Sequence, residues 1–106
     1  MGVEQAGHAS ITKTDITDYQ QDGIFAFGEG TTLSIRNSNI VAAKNSELTG
    51  HGGIGIILGA KGTIDHIKIS GNICNTSDCE PDFFTQIQGA GISAFDAAAG
   101  TTISNN

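Results

Sequence analysis

The chain has 106 residues, of which 38% are hydrophobic, 15 are glycine and one is proline, a composition typical of a turn-rich β domain. Only 15% of the residues are charged, which disfavours a disordered chain. Five basic residues against 11 acidic ones give a formal charge of −6, so we expect neither nucleic acid nor an anionic membrane surface as a partner.

Export and membrane signals are also predicted to be absent from the sequence. Residues 1–10 lack a basic segment followed by an apolar one, so any export signal would lie outside this chain. No run reaches the ~18 apolar residues that span a bilayer.

Residues 1–8 carry no periodicity and are predicted to be a lead-in, with repeats from Ala9 onward. An apolar residue followed by another five positions later occurs at Ile11, Ile35 and Ile69, and Ile103 would open a further unit. Self-similarity over a few tens of residues is the signature of stacked structural repeats.

A second motif recurs within these repeats. It is a glycine and an isoleucine that open a short apolar run, at Gly23-Ile24, Gly53-Ile54 and Gly91-Ile92. Residues two apart on a strand point to the same face, so each run is predicted to be a strand with one buried face. Each repeat therefore supplies two short strands.

The connections between these strands differ on the two sides of the predicted stack. Connections from a glycine-isoleucine strand to the next marker isoleucine are similar in length, whereas the opposite ones vary, at Thr17–Asp22, Val41–Gly52 and Asn75–Gly89. Length variation confined to one side is typical of the binding face of a repeat protein.

Polar pairs follow the marker isoleucines, where the chain must bend. They are Asn37-Ser38, Gly71-Asn72 and Asn105-Asn106, with Lys13-Thr14 at this place in the first repeat. Asparagine and glycine tolerate the left-handed backbone of a tight bend, so a ladder of stacked asparagine side chains is predicted there.

Residues 33–40 (LSIRNSNI), 67–74 (IKISGNIC) and 101–106 (TTISNN) each follow a glycine-isoleucine strand. In this they resemble the coils of right-handed parallel β-helix proteins, the pectate-lyase-like superfamily. The resemblance implies an all-β solenoid of about three coils over residues 9–106. Because the sequence ends within a coil, we expect part of a longer β-helix, or a short one whose coil ends pair to form a homo-oligomer.

The segment Gly50-His51-Gly52 is similar to a motif of polygalacturonase-type glycoside hydrolases, and Asp22 occupies the place of an aspartate that those enzymes carry one coil earlier. Glycosidic hydrolysis needs two carboxyl groups across the scissile bond. The resemblance implies catalytic roles for Asp22 and His51, although Gln21 replaces the second aspartate. A glycine-rich turn that happens to contain a histidine is the alternative.

A lyase or epimerase acting on uronic acids is a second enzymatic option, with Arg36, Lys61 and Lys68 as cations that bind an acidic sugar. The marker alignment predicts that Arg36 shares an outward column with Ser70, and Ser34 one with Lys68. These cations could equally be solvated charges that keep a sheet from aggregating. Threonine columns of the Thr-x-Thr type, which would suggest ice binding, are not expected to recur from repeat to repeat.

Cys74 and Cys79 are either free thiols or a small disulfide that closes a loop in an oxidising compartment. No second pair completes a zinc site, and no other metal site or cofactor is predicted.

These observations favour a carbohydrate-active protein, outside the cell or on its surface, that binds or processes an acidic polysaccharide. Whether it is an enzyme stays open at this point. The alternative is a non-enzymatic rod that self-associates through its coil ends, as in autotransporter stems or tailspikes. An enzyme should bring Asp22, His51 and Lys68 within ~10 Å of one another.

Overall fold

The computed structural model describes residues 1–19, 22–43, 52–72 and 90–106. Every regular element in these ranges is a β-strand, which confirms the all-β prediction. In chain order the strands are β1 (Gly2–Val3), β2 (His8–Thr12), β3 (Asp15–Tyr19), β4 (Asp22–Phe27), β5 (Thr32–Ala42), β6 (Gly52–Ile57), β7 (Lys61–Ser70), β8 (Ala90–Phe95) and β9 (Thr102–Ser104).

The strands form two sheets, and all the described strand pairs are parallel. The first sheet has the order β1-β4-β6-β8 and the second the order β2-β5-β7-β9, with β3 also paired to β5. Both sheets therefore add strands in chain order, and the chain alternates between them. We call the strands at one position a level: β1 to β3 form the first level, β4 and β5 the second, β6 and β7 the third, and β8 and β9 the fourth.

One apolar cluster takes side chains from both sheets. Alternate residues of each strand point into it because successive side chains of a strand face opposite sides. In β5, for example, Leu33 and Ile35 are buried whereas Arg36 is exposed. The buried members are Val3, Ile24, Ala26, Leu33, Ile35, Ile40, Ile54, Ile56, Ala60, Ile64 and Ile67.

The predicted alignment of the glycine-isoleucine strands is confirmed, since Ile24 pairs with Ile54 and Ile54 with Ile92. The structure also explains the glycine. A Cβ atom on Gly53 would lie 2.3 Å from the carbonyl oxygen of Gly91, and one on Gly23 would lie 2.6 Å from that of Gly53. Such distances are far below van der Waals contact, so adjacent levels can approach only where this position has no side chain.

The predicted alignment of the marker isoleucines is correct for Ile11 with Ile35 but wrong beyond that pair. Ile35 pairs with Ile64, not with Ile69, and Ile69 is the partner of Ile40. Ile103 in turn pairs with Ile64. The predicted pairing partner of Ile35 was five residues too far along the chain. Ile64 and Ile69 both face the core and are themselves five positions apart, so they reproduce the marker spacing.

A bend divides each long strand of the second sheet. At this bend Lys13, Asn37, His66 and Asn105 have φ values of 48°, 51°, 53° and 55°, and they occupy equivalent positions in the four levels. The predicted asparagine ladder is thus correct in placing Asn37 and Asn105 at one bend. It is wrong for Gly71-Asn72, whose place is taken by His66-Ile67.

Residues 1–8, predicted as a lead-in, contain β1, which pairs with β4, and the first residue of β2. The variable connections lie largely outside the described residues, as do His51, Cys74 and Cys79.

Candidate functional site

The outward face of the second sheet carries one hydroxyl side chain from each level. Ser10 pairs with Ser34, Ser34 with Thr63, and Thr63 with Thr102. Adjacent parallel strands lie about 4.8 Å apart, so these four hydroxyls form a column at that repeat. We call Ser10, Ser34, Thr63 and Thr102 the hydroxyl column.

Polar and charged side chains flank the hydroxyl column on both sides. Two positions before it are His8, Thr32 and Lys61, where a hydrogen bond of 2.5 Å joins His8 Nδ1 to Thr32 Oγ1. Two positions after it come Thr12, Arg36, Asp65 and Ser104. The predicted ligands Arg36 and Lys61 therefore share this outward face.

Asp65 gathers three hydrogen-bond donors and one cation at the edge of the same face. Its Oδ1 accepts hydrogen bonds of 2.9 Å from Ser104 Oγ and from Asn105 Nδ2. Its Oδ2 lies 2.8 Å from His66 Nδ1, which must donate because a carboxylate only accepts, and 3.9 Å from a guanidinium nitrogen of Arg36.

These contacts stabilise the charged form of Asp65. The hydrogen bond from Asn105, followed by those from His66 and Ser104, lowers the pKa of Asp65 from 3.8 to about 2. The carboxylate therefore stays ionised at neutral pH and partly neutralises Arg36, whose side chain is 53% exposed.

Lys68 lies on a different part of the surface from Arg36 and Lys61. It follows the bend at His66 and pairs with Asn39, whose Nδ2 donates a hydrogen bond of 2.7 Å to Asp15 Oδ1. The third predicted ligand is thus separated from the other two by the bend.

Asp22 belongs to the other sheet, at the start of β4. It lines a cavity of about 520 Å³ at the first level, together with Met1, Ser10, Ile11, Thr12, Thr14, Ile16, Tyr19 and Gly23. Tyr19 donates a hydrogen bond to Asn72 Oδ1 beside it. Burial, and to a smaller extent the charge of Asp22, raises the pKa of Tyr19.

The structure changes the predicted outward columns. Arg36 pairs with Asp65 and not with Ser70, and Ser34 pairs with Thr63 and not with Lys68. The sequence analysis also did not identify the hydroxyl column, in which two serines precede two threonines. The signal was a serine or threonine directly before Ile11, Ile35, Ile64 and Ile103, and the displaced alignment concealed it.

The predicted site residues therefore fall in three places: Arg36 and Lys61 beside the hydroxyl column, Lys68 beyond the bend, and Asp22 in the first-level cavity. The roles of His51, Cys74 and Cys79 stay predictions, since all three lie outside the described residues. Within the described ranges, no group of three or more His, Cys, Asp and Glu side chains could hold a metal ion.

No protein-family model, curated protein or solved structure that was compared with the chain matches it. Among the described residues, no helix has the length and apolar character to cross a membrane. The functional interpretation therefore depends on the geometry above.

Proposed function

We propose that this chain forms a right-handed parallel β-helix that acts as a rigid structural support and accepts further strands at its two ends. The observation that carries the proposal is that both described sheets add strands in chain order and end on strands with an open edge. The crossover connection between two parallel strands of one sheet is right-handed in nearly all proteins, which supports a right-handed β-helix here.

The positions of the charged residues support a structural role over a catalytic one. Asp22 is in the first sheet, whereas Arg36 and Lys61 are on the outward face of the second. Arg36 is already opposite Asp65.

Insertion of one additional level tests the structural proposal. A second copy of residues 32–60, placed between Ala60 and Lys61, would preserve the pairing of Thr32 with Lys61. In a repeat protein each interface between neighbouring units adds stability, so the urea midpoint should hold or rise. Small-angle scattering should show the particle longer by about 4.8 Å.

The control for this experiment is the same insertion with its residues in scrambled order, which should unfold the chain or lower its midpoint. If the ordered insertion is as destabilising as the scrambled one, the levels are not interchangeable units and the proposal is wrong.

A second function, binding of an acidic polysaccharide outside the cell or at its surface, is favoured by the hydroxyl column between Arg36 and Lys61. Charged and hydroxyl groups in a regular row can bind the carboxylates and hydroxyls of a linear sugar acid. Calorimetric titration with oligogalacturonate or oligoalginate tests this. Arg36→Gln and Lys61→Gln should weaken binding, whereas Lys68→Gln, beyond the bend, should not.

A further inference from the structure

The fourth level ends in a strand edge that nothing in the described structure covers. Its central residue, Ile103, continues the column of Ile35 and Ile64. Both of those residues are 0% exposed, whereas Ile103 is 46% exposed. An apolar side chain that is buried in the preceding levels is thus left open to solvent.

The first level has the opposite edge. Ile11 and Ile16 face the core but are only partly buried, and they line the 520 Å³ cavity at this end. Strand β2 pairs with β5 on one side only. Among the described residues, no preceding level packs against this end, whereas every later level packs against the level before it.

The two edges match residue by residue. The first level offers Ser10, Ile11 and Thr12, and the fourth offers Thr102, Ile103 and Ser104. If a docked copy continues the register between levels, Ser10 would pair with Thr102, Ile11 with Ile103 and Thr12 with Ser104. Each pair would then join two hydroxyl side chains or two isoleucines. Such cross-strand pairs stabilise a sheet, and the three pairs contain no like charges.

The edge strands β2 and β9 also lack the features by which proteins usually prevent sheets from joining, whereas β3 of the first level carries two exposed aspartates, Asp15 and Asp18. Inward-pointing charges and prolines on edge strands are the common ones. Strands β2, β8 and β9 contain no proline and no Asp, Glu, Lys or Arg.

We propose that the partner at these edges is a second copy of this chain, docked head to tail so that Thr102 of one copy lies beside Ser10 of the next. This inference rests on the proposed function, because it assigns the partner that adds strands at the ends. Head-to-tail docking keeps all strands parallel. Since its two surfaces differ, it is a heterologous contact that can continue into filaments.

Cysteine cross-linking tests this register. In a chain that also carries Cys74→Ser and Cys79→Ser, Ser10→Cys and Thr102→Cys are made separately, mixed in equal amounts and oxidised. The Cα spacing of paired parallel strands, about 4.8 Å, lies within the range that a disulfide bridges. We expect the mixed dimer to predominate, identified by mass spectrometry of the linked peptides.

Two controls make the result specific. His8→Cys, two residues out of register, should link to Thr102→Cys much less than Ser10→Cys does. Predominance of dimers linked through two Ser10→Cys chains or two Thr102→Cys chains would mean a twofold arrangement and would overturn the proposal.

A measurement without new cysteines guards against a cysteine variant that fails to fold. Light scattering over a concentration series should show that Ile103→Lys raises the dissociation constant for association between copies of the chain at least tenfold. Leu58→Lys, at a side chain that is 40% exposed and away from both edges, should leave it unchanged. A native chain that stays monomeric throughout the series would overturn this inference, while the insertion experiment separately decides the proposed function.

Discussion

The hydroxyl of Tyr19 donates a hydrogen bond to the side-chain oxygen of Asn72, 53 positions later in the chain. Tyr19 belongs to the first level, and Asn72 comes two residues after the end of β7 in the third level. Between them lies Ala42, the pairing partner of Tyr19 in the second level. The bond therefore joins parts of the chain that belong to levels that are not adjacent.

Loss of this hydrogen bond should be measurable. Tyr19→Phe leaves the packing of the ring in place but removes the donor to Asn72, whose Nδ2 is already buried without a partner among the described groups. We expect the free energy of unfolding in urea to fall by about 1–2 kcal/mol.

A double-mutant cycle separates the bond from other effects of the two changes. If the bond exists, Tyr19→Phe should cost much less in an Asn72→Ala background than in the native one. Additive losses would contradict it.

Stability should also decrease at alkaline pH because of Tyr19. Its pKa in the folded chain lies above the ordinary value, mainly because of burial. The contribution of neutral Tyr19 to the free energy of unfolding is therefore complete below about pH 10, and it is lost as the pH rises through the folded-state pKa. Tyr19 is the only tyrosine and the chain has no tryptophan, so tyrosinate absorbance reports this residue alone. Tyr19→Phe should reduce the alkaline loss, and an equal loss in both proteins would contradict the assignment.

The charged form of Asp65 should stabilise the fold until the medium becomes strongly acidic. Its folded-state pKa of about 2 lies below the ordinary 3.8. Its contribution is thus present above about pH 4 and is lost as the pH falls toward 2. Asn105→Ala should raise the pKa of Asp65, as measured by NMR titration of the carboxyl group.

Asn37→Ala is the matched control for Asn105→Ala. Asn37 occupies the same bend with a similar left-handed backbone but has no described contact with Asp65. If both alanine variants changed the pKa of Asp65 equally, the hydrogen bond from Asn105 would not be its cause.

Two glycines of β6 should respond very differently to the same substitution. A Cβ atom on Gly53 would meet the Gly91 carbonyl oxygen at 2.3 Å, whereas one on Gly55 has its nearest neighbour at 3.5 Å. Gly53→Ala should therefore lower the free energy of unfolding by about 3 kcal/mol or more. Gly55→Ala should be close to neutral, and equal effects would mean that the levels are not in such close contact.

Ile64 and Ile103 pair in adjacent levels and have the same side chain, but they differ in how far that side chain is buried. Ile64→Ala should cost about 2–5 kcal/mol because the side chain is fully buried. Ile103→Ala, measured on dilute protein, should cost less than roughly half of that, since 46% of its surface is already exposed. Similar losses would show that Ile103 is covered in solution.

The glycine-isoleucine strands were predictable because two constraints coincide in them. The glycine is required because the backbone of the next level comes too close for a side chain, and the isoleucine packs in the core. Ile24, Ile54 and Ile92 could therefore be aligned from the sequence.

The second sheet was harder to predict. At its bend two consecutive residues, Arg36 and Asn37, are exposed, so the inward residues Ile35 and Ile40 are five positions apart, an odd step that simple alternation does not produce. The pair Ile64 and Ile69 repeats this spacing, and Ile69 with Cys74 does so as well. Apolar spacing alone could not decide between them, whereas the hydroxyl residue before each paired isoleucine does.

The polar face was missed for the same reason. A displacement of five residues leaves isoleucines opposite isoleucines, but it separates Ser34 from Thr63 and Arg36 from Asp65. Which polar side chains meet depends on the register of the sheets, not on composition.

The separation between paired residues also bears on how the chain folds. It is 24 for Ile11 and Ile35 and 38 for Ile54 and Ile92, and the described ladders contain no local hairpin. Topologies dominated by distant pairs fold slowly, so we expect refolding on the scale of milliseconds to seconds or longer. The entropy of closing a loop increases only logarithmically with its length, and the longer step costs just about 0.4 kcal/mol more than the shorter one. The levels can therefore be joined by segments of very different length at almost the same thermodynamic cost, and the variable connections are free to change without disturbing the sheets.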